Sequence, residues 1–79
     1  MALITKDNLK KIDKDRNSVH SKTKATYTVF TSEGKKYFQI DTYGSNAREM
    51  KDKISQSVQI DEDMAKELIK LMIDTFDLL

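Results

Sequence analysis

Residues 36–43 and 54–60 alternate polar and apolar side chains with the two-residue period of a half-buried strand. Their polar positions are rich in tyrosine, glutamine and serine, where lysine and glutamate would be ordinary: Tyr37, Gln39, Tyr43, Ser55, Ser57 and Gln59. Tyrosine rings stack on unpaired bases, and amide and hydroxyl groups form adaptable hydrogen bonds. This pattern predicts a contact surface for single-stranded DNA or RNA, or for a partner protein.

Basic residues surround these two segments. Residues 44–53 lack a hydrophobic period and are predicted to form a loop that carries Arg48, Lys51 and Lys53. We assign these three cations to phosphate contacts, and Tyr37 and Tyr43 to base stacking. The hydrogen-bonding groups are then Gln39, Gln56, Gln59, Ser55 and Ser57. Asp41 lies in the middle of this surface, where its charge would repel a phosphate backbone.

The sequence contains few of the residue patterns that enzymes use for catalysis. It contains no cysteine, one histidine (His20) and two glycines, which argues against thiol chemistry, a multi-histidine metal site and a glycine-rich phosphate loop. We interpret Asp41 as a hydrogen-bonded surface group, since no neighbouring spacing is diagnostic of a catalytic pair. We therefore expect a non-enzymatic protein with no metal and no cofactor.

Two alternatives to nucleic-acid binding stay open at this point. Tyr37 and Tyr43 can be ordinary cross-strand partners on a solvated sheet. Alternatively, the chain can be a protein–protein interaction module, such as a phage-type inhibitor of a host defence nucleoprotein of the CRISPR or restriction kind. Small size and a tyrosine-rich surface suit that role equally well.

The composition indicates one small domain, residues 1–79, in which charge is unevenly distributed. A chain of this size buries only about 60% of its unfolded surface, which favours a homodimer. Residues 1–24 hold seven Lys/Arg against three Asp, whereas residues 61–79 hold two Lys against six Asp/Glu. No apolar run reaches the roughly 20 residues that span a bilayer, so we expect a cytoplasmic protein without membrane contact.

The elements that would position the contact surface are predicted in the order α-β-β-β-α. Thr5 is a candidate N-cap for a helix over residues 5–17, and residues 25–31 are typical of a strand. The turn at residues 32–35 would join that strand to residues 36–43 in a hairpin, and residues 54–60 supply a third strand. Asp61 would cap an amphipathic C-terminal helix. The predicted fold class is α+β: a three-stranded antiparallel sheet with both helices on its apolar face.

The layout from residue 36 onward resembles that of the transcriptional coactivator positive cofactor four and its bacterial single-stranded-DNA-binding relatives. The matching parts are KYFQIDTY, the basic loop, ISQSVQI and DEDMAKELIKLMIDTF. This resemblance implies a homodimer packed through the C-terminal helices, with the sheet and loop on single-stranded nucleic acid. Residues 37–45, Arg48 and residues 53–59 also resemble small uncharacterised bacterial and phage proteins with the pattern YFQIDTYGS…R…K-ISQS-x-Q.

Overall fold

The computed structural model describes residues 1–44 and 53–79 of the chain. Its elements are β1 (Ala2–Ile4), a 3-10 turn (Lys6–Asn8), β2 (Ala25–Ser32), β3 (Lys35–Thr42), β4 (Gln56–Ile60) and α1 (Glu62–Phe76). The strands form one four-stranded sheet in the order β1-β4-β3-β2. The β2–β3 and β3–β4 pairs are antiparallel, whereas β1 and β4 are parallel, so the sheet is mixed.

The β2–β3 hairpin lies where the sequence predicts it. Its strands are in register from Ala25 opposite Thr42 to Ser32 opposite Lys35. The two turn residues, Glu33 and Gly34, both have positive φ, at 51° and 77°. Two consecutive positive φ angles are typical of the tight turns whose twist matches that of paired strands. The turn thus fixes which residues of β2 and β3 lie opposite each other.

The predicted three-stranded antiparallel sheet with an N-terminal helix is wrong. No helix forms over residues 5–17: a 3-10 turn occupies Lys6–Asn8, and residues 9–24 follow without a regular element. A helix gains most of its stability by packing an apolar face, and this segment has only a thin stripe. Its apolar residues Leu9 and Ile12 are 38% and 66% exposed. Without a partner surface, the local signals at Thr5 support one 3-10 turn only.

The fourth strand, β1, is the other difference from the prediction. Residues Ala2–Ile4 pair in parallel with β4, with Ile4 opposite Ile60. Three residues are too few to display an alternating pattern, and a parallel partner distant in sequence leaves no local turn signal. The result is a wider sheet than the sequence predicts, with one helix in place of two.

The C-terminal helix α1 begins as predicted. The backbone N–H of Met64 donates to Asp61 Oδ1 at 2.9 Å, which caps the first turn. Glu62 and Asp63 add negative charge at the positive end of the helix dipole. At the other end Asp77 adopts a left-handed conformation, and its N–H donates to the carbonyl of Ile73. Local hydrogen bonds therefore cap both ends of α1.

Replacement of Asp61 by alanine is expected to lower the free energy of unfolding by about 0.5–2 kcal/mol, because the N–H of Met64 loses its acceptor. Asp61→Asn keeps a side-chain oxygen at the same position and should retain most of that stability. Urea unfolding followed by circular dichroism measures both. Equal stability of wild type and Asp61→Ala would contradict the capping role.

The apolar residues of the sheet and of α1 face one another without filling the space between them. They line an apolar groove of about 400 Å³, formed by Ile4, Phe38, Ile40, Val58, Ile60, Ala65, Leu68, Ile69 and Met72. Among the hydrophobic residues that the structure describes, Met64 alone is buried, with no exposed area at all. The core of the isolated chain is therefore thin. Within residues 1–44 and 53–79, no helix has the length and hydropathy to cross a bilayer.

Candidate nucleic-acid interface

The side of the sheet opposite α1 carries the polar residues of three strands. Because opposed residues of an antiparallel pair point to the same side, and successive residues alternate, the strand register assigns every position to a side. We call this side the polar face; it comprises Thr26, Thr28, Phe30, Lys35, Tyr37, Gln39, Asp41, Ser57 and Gln59. The predicted separation of Tyr37, Gln39 and Asp41 from Phe38 and Ile40 is thus confirmed.

An aromatic pair occupies one end of the polar face. The rings of Phe30 and Tyr37, opposed on β2 and β3, stack with centroids 5.4 Å apart and planes at 23°. Phe30 is 36% exposed and Tyr37 is half-buried, so part of this aromatic surface is open to a ligand. Lys35 lies two residues before Tyr37 on the same side of β3. A flat aromatic surface beside a cation is suited to a base and its phosphate.

Amide side chains form a hydrogen-bonded row across the centre of the polar face. Gln59 Nε2 donates to Gln39 Oε1 at 2.7 Å, and Gln39 Nε2 donates to Asp41 Oδ1 and Oδ2 at 3.0 and 3.1 Å. Asp41 is only 5% exposed, and its neighbour on β4, Ser57, is 8% exposed. The row holds the Gln39 amide in a fixed orientation. It also removes Asp41 from the exposed position that the sequence alone suggests.

A second aromatic group, Tyr43, follows directly after β3. Its hydroxyl lies 2.9 Å from Thr26 Oγ1, and Lys24 Nζ lies 5.1 Å from the ring centroid. The backbone N–H of Tyr43 donates to the carbonyl of Lys24, which extends the β2–β3 pairing by one step. Six residues at about 3.3 Å each separate Tyr43 from Tyr37, roughly 20 Å of strand. Each end of the polar face therefore has one tyrosine and one lysine.

The residues predicted to bind a ligand separate into three groups in the structure. Tyr37, Gln39, Ser57 and Gln59 lie together on the polar face, and Tyr43 lies at its end. Gln56, opposite Thr42, belongs to the other side of the sheet. Lys53 and Ser55 precede β4, where the Ser55 N–H donates to the carbonyl of Thr42 at 2.7 Å. Arg48 and Lys51 lie outside the described residues.

Sequence reasoning missed four residues on or beside this surface: Phe30, Thr28, Thr26 and Lys24. The turn at residues 32–35 contained the signal, because a two-residue turn places Phe30 opposite Tyr37. Thr26 follows from the same register, opposite Asp41. No signal in the sequence predicts that Lys24 lies over the ring of Tyr43, because both residues lie beyond the strand ends.

The polar face thus combines two aromatic groups, an ordered row of amides and a lysine at each end. These groups can stack on planar ligands, form hydrogen bonds and attract anions. No protein-family model, no curated protein and no solved structure matches the chain.

Proposed function

We propose that this chain is a small non-enzymatic module that binds single-stranded DNA or RNA through its polar face. The observation that carries the proposal is the stacked pair of Phe30 and Tyr37, which lies on the polar side of the sheet with Lys35 beside it. Aromatic pairs on the apolar side of a sheet are explained by packing. On the polar side the pair stabilises the pairing of β2 with β3, and its exposed ring surface also offers a stacking partner to an unpaired base.

The rest of the polar face extends the same chemistry along the strands. Tyr43, with Lys24 over its ring, gives a second stacking group at the far end. Between the two tyrosines, Gln59 donates through Nε2 to Gln39 and can direct its carbonyl oxygen to a base edge. We expect the basic residues of the adjoining segment, Arg48, Lys51 and Lys53, to contact phosphates.

Asp41 is the residue on the polar face that opposes nucleic-acid binding. An exposed carboxylate at the centre of the face would repel a phosphate backbone at close range. Instead, both carboxylate oxygens accept hydrogen bonds from Gln39, and the residue is 5% exposed. The carboxylate is thus engaged by the protein's own amide and does not itself form a contact with a strand on this face.

Fluorescence anisotropy with labelled single-stranded and duplex oligonucleotides tests the proposal. We expect tighter binding of the single strand than of the duplex. The logarithm of the affinity should fall linearly with the logarithm of the salt concentration, because phosphate contacts release counterions. About three phosphate contacts would give a slope near −2 for single strands, at about −0.7 per contact. Affinity that is absent, or that does not change with salt, would contradict the proposal.

The apolar groove favours a second candidate function, that of a protein–protein interaction module. Exposed apolar surface of this kind is typical of a protein-binding site. Under this second candidate function, the chain binds and inhibits a host defence nucleoprotein of the CRISPR or restriction type. The purified protein would then ignore free nucleic acid and form a stable complex with the purified nucleoprotein. Failure of that complex to form would exclude this candidate.

We further propose that the module works in the cytoplasm as a homodimer. The fold does not depend on an intrachain disulfide, because the sequence contains no cysteine. A chain of 79 residues with a thin core agrees with a state in which a second chain completes the fold.

A further inference from the structure

A cavity of about 370 Å³ lies on the polar side of the sheet, where β1 meets β4. We call it the seam cavity; its lining includes Leu3, Gln39, Ile54, Ser57 and Gln59. Leu3 lies opposite Gln59 in the parallel β1–β4 pair, so both side chains point to the same side of the sheet. The seam cavity is therefore separate from the apolar groove, which lies on the side of α1.

The apolar walls of the seam cavity are not explained by the core. Leu3 is 46% exposed and Ile54 is 36% exposed, and both border the cavity on the side away from α1. Within residues 1–44 and 53–79, α1 is the only α-helix, and it faces the other side of the sheet. A flat, largely apolar ligand in the cavity would remove part of both side chains from water.

The direction of the amide row decides which polar group the cavity offers to a ligand. Both oxygens of the Asp41 carboxylate accept from Gln39 Nε2, since an ionised carboxylate has no hydrogen to donate. Gln39 therefore turns its Oε1 the other way, where that oxygen accepts from Gln59 Nε2 at 2.7 Å. The row ends in the carbonyl oxygen of Gln59, which is an acceptor. A ligand that fits this end of the row must present an N–H group.

We propose that the seam cavity is a subsite for one nucleobase, whose edge N–H donates to the carbonyl oxygen of Gln59. The ring of the base lies against Leu3 and Ile54. Each base has the two required features, a flat ring and at least one N–H on its pairing edge. Small-molecule sites range over about 300–1,000 Å³ and combine apolar walls with a few fixed polar groups. The seam cavity is at the lower end of that range, as expected for a single base.

The subsite rests on the proposed function to the extent that the base belongs to a bound strand. It adds β1 and β4 to the contact surface, beyond the aromatic groups on and beside β2 and β3. Lys53 directly precedes Ile54, where its charge is available to a phosphate of the same nucleotide. In a duplex the edge N–H of a base is already used in pairing, so this subsite favours an unpaired strand.

Two oligothymidylates that differ only at ring atom N3 test the hydrogen bond to Gln59. Thymine has one edge N–H, and a methyl group at N3 removes it without changing the phosphates. Wild type should bind the unmodified strand about 2-fold to 13-fold more tightly, the range for one hydrogen bond. Gln59→Leu should lose this preference, whereas a steric effect of the methyl group would persist in that variant.

Gln56→Leu is the matched control, because Gln56 belongs to the other side of the same strand. This variant should keep the preference of wild type for the unmodified strand. Equal affinity of wild type for the two oligothymidylates, or a preference that Gln59→Leu retains, would overturn the proposed subsite. Binding to both strands with equal affinity would leave the proposed function intact, so the two proposals fail separately.

Methyl resonances in an NMR titration locate the base and distinguish its two sources. Oligothymidylate should shift the methyl signals of Leu3 and Ile54 and leave those of Val29, on the other side of the sheet, in place. Thymidine monophosphate is the second probe, and the same shifts with it would assign the cavity to free nucleotides as well. That result supports the subsite even where the strand does not bind and the proposed function fails. Unmoved Leu3 and Ile54 signals with both probes would overturn the subsite.

Discussion

Replacement of Met64 by alanine is expected to lower the free energy of unfolding by about 2–5 kcal/mol. Met64 is fully buried, at the point where β4 passes into α1. The loss combines the transfer of its side-chain atoms from water with the cavity that alanine leaves behind. A domain of this length is stable by only about 4–12 kcal/mol, so this one change removes a large share.

Urea unfolding measures that loss, with wild type and variant compared at the same protein concentration. Lys70→Ala is the control, because it removes a long side chain from an exposed position of the same helix. It should leave stability within about 0.5 kcal/mol of wild type. A Met64→Ala loss as small as that of Lys70→Ala would show that Met64 does not anchor α1.

Replacement of Tyr37 by alanine should weaken binding of single-stranded nucleic acid by about 1–3 kcal/mol, or about 5-fold to 150-fold. Tyr37 supplies the more central ring of the Phe30–Tyr37 pair, since it belongs to β3, an inner strand of the sheet. Without it, a base loses its stacking partner while the phosphate contacts stay. The salt dependence of binding should therefore be the same in the variant as in wild type.

The chain offers a matched control for that variant on the opposite side of the sheet. Tyr27 stacks on Phe38 with centroids 5.2 Å apart, much as Tyr37 stacks on Phe30, and it is 67% exposed. Tyr27→Ala should leave nucleic-acid affinity unchanged, and Tyr37→Phe should keep most of it. Equal losses from Tyr27→Ala and Tyr37→Ala would mean that the polar face has no special role. Anisotropy titrations of Tyr37→Ala, Tyr37→Phe and Tyr27→Ala measure the affinities that this comparison needs.

The parts of the fold that the sequence predicts well are those determined by neighbouring residues. Strand alternation at residues 36–43, positive φ at Gly34 and a capping aspartate at position 61 all act within a few residues. The N-terminal region differs because its structure depends on distant partners. β1 exists only through its pairing with β4, and the helix expected over residues 5–17 lacked a surface to pack against. Local capping signals cannot compensate for missing tertiary contacts.

The candidate site also combines features that local sequence predicts with features that depend on distant strand partners. Alternation along β3 and β4 identified Tyr37, Gln39, Ser57 and Gln59, and the register then placed them on one side of the sheet. The hydrogen bonds from Gln59 to Gln39 and from Gln39 to Asp41 depend on which residues lie opposite across β3 and β4. That register could not be read without a tight turn between the two strands. For this reason the burial of Asp41 was not predictable.

The central claim, that the polar face binds single-stranded nucleic acid, is tested most directly by the ring resonances of the tyrosines in an NMR titration. The chain has three tyrosines, of which Tyr37 lies on the polar face, Tyr43 lies at its end and Tyr27 lies on the opposite side of the sheet. Addition of a short single-stranded oligonucleotide should shift the ring signals of Tyr37 and Tyr43 and leave those of Tyr27 in place. Shifts confined to Tyr27, or no shift in any ring at saturating oligonucleotide, would contradict the claim.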